Sequence, residues 1–424
     1  MQWLFQRGPT ALPLHRMIKD SYEQFAEKGV MRLVSRSPFG SIPGRGIRKI
    51  VMFNPEVEAL KCCRSLISGR GRVIKHLPFI NAAVVEFMPS LPEAVWDEMA
   101  AHPDVLTIED DFEVHTTCWL GSSAPVNQPH QSVPWGVEKI KAPLAWADSQ
   151  GEGVRVATLD TGVDFGHPDL RPNLRRGYNV LAPGTLPRDR NGHGTHTAGT
   201  IVAANNSIGV VGVAPKATLY PVKVLDSRGM GRISTIVSGL EWATKNQMQL
   251  VNMSLGSSNA SKALETAVKN AVAKGVIIVA SAGNVGKPDS VLYPARYPEV
   301  VAVSAINEQG QRADFSSYGP EVTVCAPGVE VLSTYPGGRY KKMNGTSMAA
   351  PHVTGALALL LGKISTVNAS EIMRRLRRGV QHLPGLSREE QGFGLIDAQA
   401  LVQGGAAWAS EGEEVEQPVL AEAE

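Results

Sequence analysis

The chain has few cysteines and no long apolar stretch, and both absences restrict the kind of protein it can be. Its 424 residues include four cysteines, and the adjacent Cys62 and Cys63 are poorly placed for bridging, so no disulfide framework is expected. No run of 18 apolar residues occurs, which argues against a membrane-spanning helix. The first 14 residues lack the apolar core of a secretory signal peptide, so export by the usual route is unsupported.

The chain also lacks a strong net charge, since the formal value is only +2. An acidic end with six glutamates in residues 404–424 leaves +8 (2 plus 6) on the remainder. A basic balance can indicate nucleic-acid binding, but no basic motif interleaved with aromatic residues accompanies it. We therefore predict no nucleic-acid partner.

Changes in composition divide the chain into five predicted segments. Ser/Pro/Gly-rich stretches precede Gly46 and follow residue 115, and the acidic, Ala-rich end predicts disorder. The predicted segments are an N-terminal extension over 1–46, a compact unit over 47–115, a linker over 116–130, a larger domain over 131–403 and a tail over 404–424.

The pattern of apolar residues predicts a fold class for each of the two folded segments. The order of strands and helices in residues 47–115 suits a small split βαβ sandwich, with strands Arg48–Phe53, Ala82–Met88 and Val105–Ile108 and helices Glu56–Ile67 and Leu91–Ala101. In residues 131–403, short and almost fully apolar strands predict a parallel sheet covered by helices, an α/β fold. These strands are Val154–Leu159, Leu250–Ser254, Val276–Ala280 and Val300–Ser304, and the helices are His193–Ala203, Ile233–Lys245, Lys262–Lys274, Thr346–Leu361 and Ser370–Arg377.

Three segments place a glycine beside a reactive side chain: Asp160-Thr161-Gly162, residues 191–196 and residues 344–349. Taken alone, each has an ordinary interpretation as a turn, a zinc-binding pair of His193 and His196, or a helix N-cap. A zinc site needs a further ligand, and the chain has no HExxH or CxxC motif.

In the order Asp, His, Ser, the three segments resemble the subtilisin family of serine proteases. The resemblance covers Gln131 to about Gln403. The segments that carry it are Gln131–Gly136, Asp160–Asp164, His167–Leu170, Asn191–His196, Ser254–Gly256, Ala282–Asn284 and Gly345–Ala349.

The resemblance implies a subtilisin-like parallel sheet flanked by helices, preceded by a small ferredoxin-like α+β prodomain. It also implies an endopeptidase working through an acyl-enzyme, in which Ser347 attacks, His193 is the base and Asp160 orients the imidazole. The Asn284 amide and the Ser347 N–H would form the oxyanion hole. His196 is the rival base and is assigned a packing role. A non-catalytic peptide-binding protein and a zinc hydrolase are the alternatives.

Family-like segments also predict where a substrate binds. The implied binding residues are Gly229, Met230, Gly231, Ser254, Leu255 and Gly256. The chain departs from the family at Leu292, where many subtilisins have glycine before Tyr-Pro, and Ile233 stands at an outer wall position. This departure leaves the side-chain preference open.

A structural Ca²⁺ site is implied by a family-like loop at residues 204–210. Its ligands would be the side chains of Gln131, Asp169 and Asn206 and the carbonyl groups of Ala204, Ile208 and Val210.

The prodomain should act as an intramolecular inhibitor whose chain enters the active cleft. We expect self-cleavage between His115 and Gln131, on the argument that Gln131 must be freed to reach the calcium loop. The acids Glu109, Asp110, Asp111 and Glu113 should meet helix N-termini of the larger domain. The partners are then protein and peptide substrates and the protein's own prodomain, in a monomer. The prodomain layout favours an extracellular location, with a cytoplasmic one as the alternative.

Overall fold

A computed structural model describes residues 46–88, 93–118, 123–364 and 369–404. The predicted N-terminal extension before Gly46 and the predicted tail after Gly404 lie outside the described residues. Within the described ranges, no helix is long and apolar enough to cross a membrane.

The first folded part, here called the N-terminal sandwich (residues 47–110), has a four-stranded antiparallel sheet in the order β2-β3-β1-β4. This is the ferredoxin-like arrangement that was predicted, with β2 as a strand that the prediction omitted. Its elements are β1 Ile47–Phe53, α1 Ala59–Leu66, β2 Gly71–Leu77, a short 3₁₀ turn at Pro78–Ile80, β3 Ala82–Phe87, α2 Glu93–Ala100 and β4 Val105–Asp110.

Four consecutive apolar residues at the end of β1, residues 50–53, give the sandwich two buried faces. Val51 and Phe53 pack in a cluster with residues of α1 and α2. Ile50 and Met52 lie on the other face, because successive strand side chains point to opposite sides. That face belongs to the same buried cluster as residues of the larger domain, so the two parts share a core.

The larger domain is built on a nine-stranded sheet in the order β17-β18-β14-β13-β12-β10-β6-β8-β7. All of its pairs are parallel except β17 with β18. The remaining strands are β5 Glu113–Thr116, β6 Arg155–Asp160, β7 Tyr178–Asn179, β8 Thr218–Lys223, β9 Met230–Arg232, β10 Leu250–Met253, β11 Leu255–Gly256, β12 Ile277–Ser281, β13 Val301–Ile306, β14 Val324–Pro327, β15 Val331–Tyr335, β16 Arg339–Met343, β17 Val380–Gln381 and β18 Leu395–Ile396.

Helices cover both faces of this sheet, as its almost fully buried central strands require. One face carries α5 and α8, and the other carries α6 and α7 together with the N-terminal sandwich. The helices are α3 Trp135–Lys139, α4 Ala142–Ala145, α5 His193–Val202, α6 Ile233–Lys245, α7 Lys262–Ala273, α8 Thr346–Lys363, α9 Ala369–Arg378, α10 Arg388–Gln391 and α11 Ala398–Gln403. The predicted α/β class is confirmed.

Candidate active site

The predicted Asp–His pair forms where β6 ends and α5 begins. Asp160 is the last residue of β6 and His193 the first residue of α5, and both are fully buried. His193 Nδ1 lies 2.7 Å from Asp160 Oδ1. The carboxylate also accepts hydrogen bonds from the Thr161 N–H at 2.6 Å and the Thr197 hydroxyl at 3.1 Å. The imidazole is therefore held by a carboxylate that is itself fixed.

The charge state of His193 depends on its immediate neighbours. Burial lowers the pKa of His193, but the Asp160 carboxylate and the Cys118 sulfur together raise it well above the usual 6.5. A raised pKa means that the imidazole holds a proton over a wider pH range. In this uncleaved chain, the predicted base is thus more easily protonated than a free histidine.

Ser347 lies in the first turn of α8 and is fully buried beside the pair. Its hydroxyl donates to the Ser254 carbonyl oxygen at 3.1 Å and lies 2.8 Å from the Thr117 hydroxyl. Among the described residues, His193 Nε2 has no hydrogen-bond partner, so the serine is not bonded to the imidazole. The hydroxyl has to turn away from Ser254 before His193 can take its proton.

A strand of the same chain crosses this cleft. β5 is the middle strand of a three-stranded antiparallel sheet between β9 and β11. The predicted substrate-binding segments supply both outer strands, and the Thr116 N–H donates to the Gly229 carbonyl oxygen at 3.0 Å. β5 is thus paired along both edges with the segments that were predicted to bind a substrate as an extended strand.

The residue after β5 brings a peptide carbonyl to the predicted nucleophile. The Thr117 N–H lies 3.5 Å from the Ser254 carbonyl oxygen, and the Thr117 carbonyl oxygen accepts from the Ser347 N–H at 3.0 Å. This N–H is one of the two donors predicted for the oxyanion hole. The Thr117–Cys118 peptide bond therefore lies beside the predicted nucleophile.

Asn284 follows β12 and reaches the same place. Its side-chain oxygen accepts from the Thr346 N–H at 3.0 Å and from the Thr346 hydroxyl at 2.9 Å, which fixes the amide plane. A Cβ built on Gly345 would lie 2.6 Å from the Thr117 carbonyl oxygen and 3.2 Å from the Asn284 amide nitrogen. Only glycine leaves room here for the carbonyl and the amide together, and the φ of 147° at Gly345 also favours it.

His196, the rival base, is held away from the reaction. Its Nε2 lies 2.9 Å from the Val331 carbonyl oxygen and 3.0 Å from that of Lys341, so this nitrogen must carry the proton and donate. Burial lowers the pKa of His196 to about 3, which keeps the ring neutral. The predicted packing role fits this geometry, and a zinc pair with His193 does not.

Two of the four predicted acids meet helix N-termini of the larger domain. Glu109 accepts from the Ser261 hydroxyl at 2.5 Å and the Lys262 N–H at 2.7 Å at the start of α7. Asp111 accepts from the N–H and the hydroxyl of Ser234, each at 2.9 Å, at the start of α6. Burial raises the pKa of Glu109, against the effect of these hydrogen bonds. Asp110 instead pairs with Lys49 at 2.8 Å.

The residues predicted for calcium come together around Asp169, which is fully buried. Its two carboxylate oxygens accept from Asn206 Nδ2 at 3.0 Å and from the Val210 N–H at 2.9 Å. Gln131 Nε2 donates to the Ala204 carbonyl oxygen at 3.0 Å, and the Ile208 N–H donates to Asn206 Oδ1 at 2.8 Å. All six predicted residues are thus part of one hydrogen-bonded loop.

One expectation about this loop is wrong. Gln131 was expected to reach it only after a nearby peptide bond had been cut. In the uncleaved chain Gln131 already contacts Ala204, while Thr117 is in the active centre. The physical reason is length, because the 13 residues from 118 to 130 can span roughly 45 Å when extended.

Sequence reasoning missed three residues at the centre of the site: Thr117, Cys118 and Ser281. The first two were assigned only to a linker. Ser281 ends β12 and lies 2.5 Å from the Thr117 hydroxyl through its own Oγ. The sequence feature that could have identified Ser281 is its position directly before the family-like Ala282–Asn284 segment.

An Asp–His pair beside a serine at a helix N-terminus, with a peptide strand lying across them, defines a serine hydrolase that acts on extended chains. Residues 151–394 match the model of the subtilase family. The chain belongs to the subtilase family and is a serine endopeptidase, which sets aside the zinc hydrolase and the non-catalytic alternatives.

The similar proteins are bacterial proteases. Subtilisin NAT of Bacillus subtilis subsp. natto and subtilisin E of Bacillus subtilis are each 44% identical over 362 residues, covering 84% of this chain and 90% of theirs. The alkaline protease of Alkalihalobacillus alcalophilus is 46% identical over 310 residues, covering 73% of this chain and 77% of its own. Because the first two alignments span 84% of this chain, the likeness extends beyond the family domain.

Proposed function

We propose that this chain is a self-processing protease precursor that cuts its own Thr117–Cys118 bond. The observation that carries the proposal is the position of the Thr117 carbonyl oxygen, 3.0 Å from the Ser347 N–H at the end of a paired strand. A substrate carbonyl must occupy this place for a serine hydroxyl to attack it. Protein substrates would bind in the same extended form.

In this mechanism Ser347 Oγ forms a bond to the Thr117 carbonyl carbon while His193 Nε2 takes its proton. The negative charge that develops on the carbonyl oxygen is stabilised by the Ser347 N–H and the Asn284 amide. His193 then gives the proton to the Cys118 nitrogen, and the C–N bond breaks. Water hydrolyses the resulting Thr117 ester by the same proton transfers in reverse, with Asp160 stabilising the imidazolium.

We further propose that residues 47–117 remain in the cleft as an inhibitor after the cut. Both edges of β5 are paired, and Asp111 is buried against α6 with Arg48 at 3.2 Å from its carboxylate. These contacts do not depend on the broken bond. The segment therefore blocks other peptides until it leaves or is digested. Activity outside the cell and a monomeric state stay predictions.

A calcium ion at the Asp169 loop is the third part of the proposal. The donor set fits, because a carboxylate, two side-chain amides and backbone carbonyls are all oxygen ligands of the kind that Ca²⁺ prefers. Gln131 and Asn206 can turn their amide oxygens inward, and Asp169 supplies the negative charge. The ion would stabilise the loop and takes no part in the chemistry.

Purified full-length protein tests self-cleavage directly. Ser347→Ala should remain uncut, because loss of the serine costs up to about 10⁶ in turnover in subtilisin, a member of this family. Ser258→Ala, an exposed serine, is the matched control and should process normally. N-terminal sequencing of the first product should begin at Cys118. Cleavage in pure Ser347→Ala protein, or a first cut elsewhere, would contradict the proposal.

A further inference from the structure

The Thr117 side chain occupies the pocket next to the nucleophile. It is 6% exposed, and its hydroxyl lies 2.5 Å from Ser281 Oγ and 2.8 Å from Ser347 Oγ. Ser281 is fully buried and its hydroxyl also reaches the Met253 carbonyl oxygen at 3.5 Å. With Ser281 donating to Met253, the Thr117 hydroxyl can donate to Ser281. A small hydroxyl side chain thus finds a hydrogen-bond acceptor in this position.

Leu292 packs against two glycines, one in the strand that pairs with β5 and one two residues after Ser281. A Cβ built on Gly256 would lie 2.9 Å from Leu292 Cβ, and one built on Gly283 would lie 2.6 Å from Leu292 Cγ. Gly256 pairs with His115 of β5, and Gly283 lies two residues after Ser281, which contacts Thr117, so we take these two segments as the walls of the pocket. The leucine side chain therefore lies in direct contact with both walls, where a glycine at position 292 would leave an opening.

Leu292 has little freedom to move aside. Its N–H donates to the Ala282 carbonyl oxygen at 2.8 Å, and the next residue pairs with Ser257 through two hydrogen bonds of 2.9 and 3.0 Å. The backbone at position 292 is thereby tied to both walls. Closely packed groups of this kind resist the insertion of a large ring.

We infer that the primary specificity pocket of this protease accepts small residues, threonine and serine above all, and excludes large aromatic ones. Leu292 sets the size limit, and Ser281 selects a hydroxyl group. The inference rests on the proposed function, because it takes Thr117 as the occupant of the substrate pocket. It assigns a substrate class to a site whose side-chain preference the sequence left open.

The test uses enzyme that has matured from the full-length chain, assayed on separate fluorogenic peptides. The peptides share the residues Val-His-Thr, copied from positions 114–116, and differ only in the next residue: Thr, Ser, Ala, Val, Leu, Phe or Tyr. We expect kcat/KM to be highest for Thr and at least about 100-fold lower for Phe and Tyr, within the range that pocket size confers. Leu292→Ala should raise the Phe and Tyr values by a factor of about 100 or more, for the same reason.

Two further variants separate the effect of pocket size on substrate preference from the effect of hydrogen bonding to Ser281. Ser281→Ala should reduce the preference for Thr over Val about tenfold, because one hydrogen bond is lost while the pocket keeps its size. Leu144→Ala, at a leucine that is 56% exposed, is the matched control and should leave every ratio unchanged. Wild-type enzyme that cleaves after Phe or Tyr as fast as after Thr would overturn the inference.

The assay also distinguishes this inference from the processing proposal. If the precursor is first cut at another bond but the mature enzyme still prefers Thr in separate peptides, the processing site is wrong and the pocket assignment is supported. If the precursor is cut after Thr117 but the peptides show no preference for small residues, the pocket assignment is wrong and the processing site stands.

Discussion

At the residue scale, the side chain after the proposed scissile bond acts on the base that would cut it. Cys118 is partly buried in a cluster with Met348 and Tyr335, next to the active centre. Its sulfur is one of the groups that raise the pKa of His193 above the usual value. The base works only as neutral imidazole, so self-cleavage should increase as the pH rises through this raised pKa.

Cys118→Ser should therefore move the pH dependence of self-cleavage to lower pH. Removing the sulfur takes away one cause of the raised pKa, and neutral His193 is then available at lower pH. The measurement is the single-turnover rate of precursor cleavage between about pH 4 and pH 9, a range that brackets the usual histidine pKa of about 6.5. Cys62→Ser, in the N-terminal sandwich, is the matched control. Superimposable profiles for wild type and Cys118→Ser would show that the sulfur has no influence.

At the scale of elements, the N-terminal sandwich is docked by carboxylates at the beginnings of two helices. Asp111 accepts two hydrogen bonds from Ser234 at the start of α6, and its side chain is fully buried. A negative charge at a helix N-terminus is favourable by up to about 2 kcal/mol in partly buried geometries. The helix dipole and the hydrogen bonds act together here, so the negative charge of Asp111 should contribute to docking as well as the shape of its side chain.

Asp111→Asn should shorten the delay between self-cleavage and the appearance of protease activity. The amide keeps the shape but loses the charge, and we expect release of the cleaved segment to be about tenfold faster, the factor that corresponds to about 1.4 kcal/mol. Cleavage is followed by gel and activity by a peptide substrate. Asp97→Asn, an exposed acid on α2, is the matched control. An unchanged delay in Asp111→Asn would remove this carboxylate from the docking contacts.

The elements also show how far sequence patterns predict this fold. Buried strands such as β10 and β12 were predicted to within one residue, because a short, continuous apolar run between turns is typical of a strand that is covered on both faces. Strand β2 was missed since Arg72, Lys75 and His76 interrupt its apolar residues at the sheet edge. Strand β5 was missed because its partners, β9 and β11, are far away in the sequence.

The residues of the candidate site likewise fall into those that the sequence predicted and those that it did not. Asp160, His193, Asn284 and Ser347 occur in short motifs that the sequence displays directly, and the structure brings them to one edge of the sheet. Their meeting follows from the parallel topology, since strand ends and helix starts converge at that edge. The contacts of Thr117 depend on the register of β5 in the cleft. No local pattern encodes that register, so the occupant of the cleft could be found only in three dimensions.

At the scale of the whole molecule, the linker is long enough that closure of the loop at residues 204–210 does not depend on cleavage after Thr117. Residues 118–130 let Thr117 stay beside Ser347 while Gln131 contacts the proposed calcium loop in the uncleaved chain. Gln131 also donates its backbone N–H to the Ser207 carbonyl oxygen at 3.2 Å, and Ser132 donates to that of Gly209 at 2.8 Å. The loop is therefore already closed by the residues that follow the linker, and the proposed calcium site would not need the cut to form.

The uncleaved precursor should accordingly gain stability from calcium. In full-length Ser347→Ala, calcium at about 100 times its Kd should add about 2.7 kcal/mol to the free energy of unfolding. That gain corresponds to a rise in Tm of roughly 3–4 °C for a chain of this length. Adding Asp169→Asn should remove most of the rise, because the site loses its carboxylate charge, whereas Asp289→Asn, at an exposed acid, should retain it. The measurement is thermal unfolding with calcium or with chelator. If calcium raises the Tm of matured wild-type enzyme but leaves the Ser347→Ala precursor unchanged, the site is completed only by cleavage, and the contacts of Gln131 in the uncleaved chain do not suffice to form it.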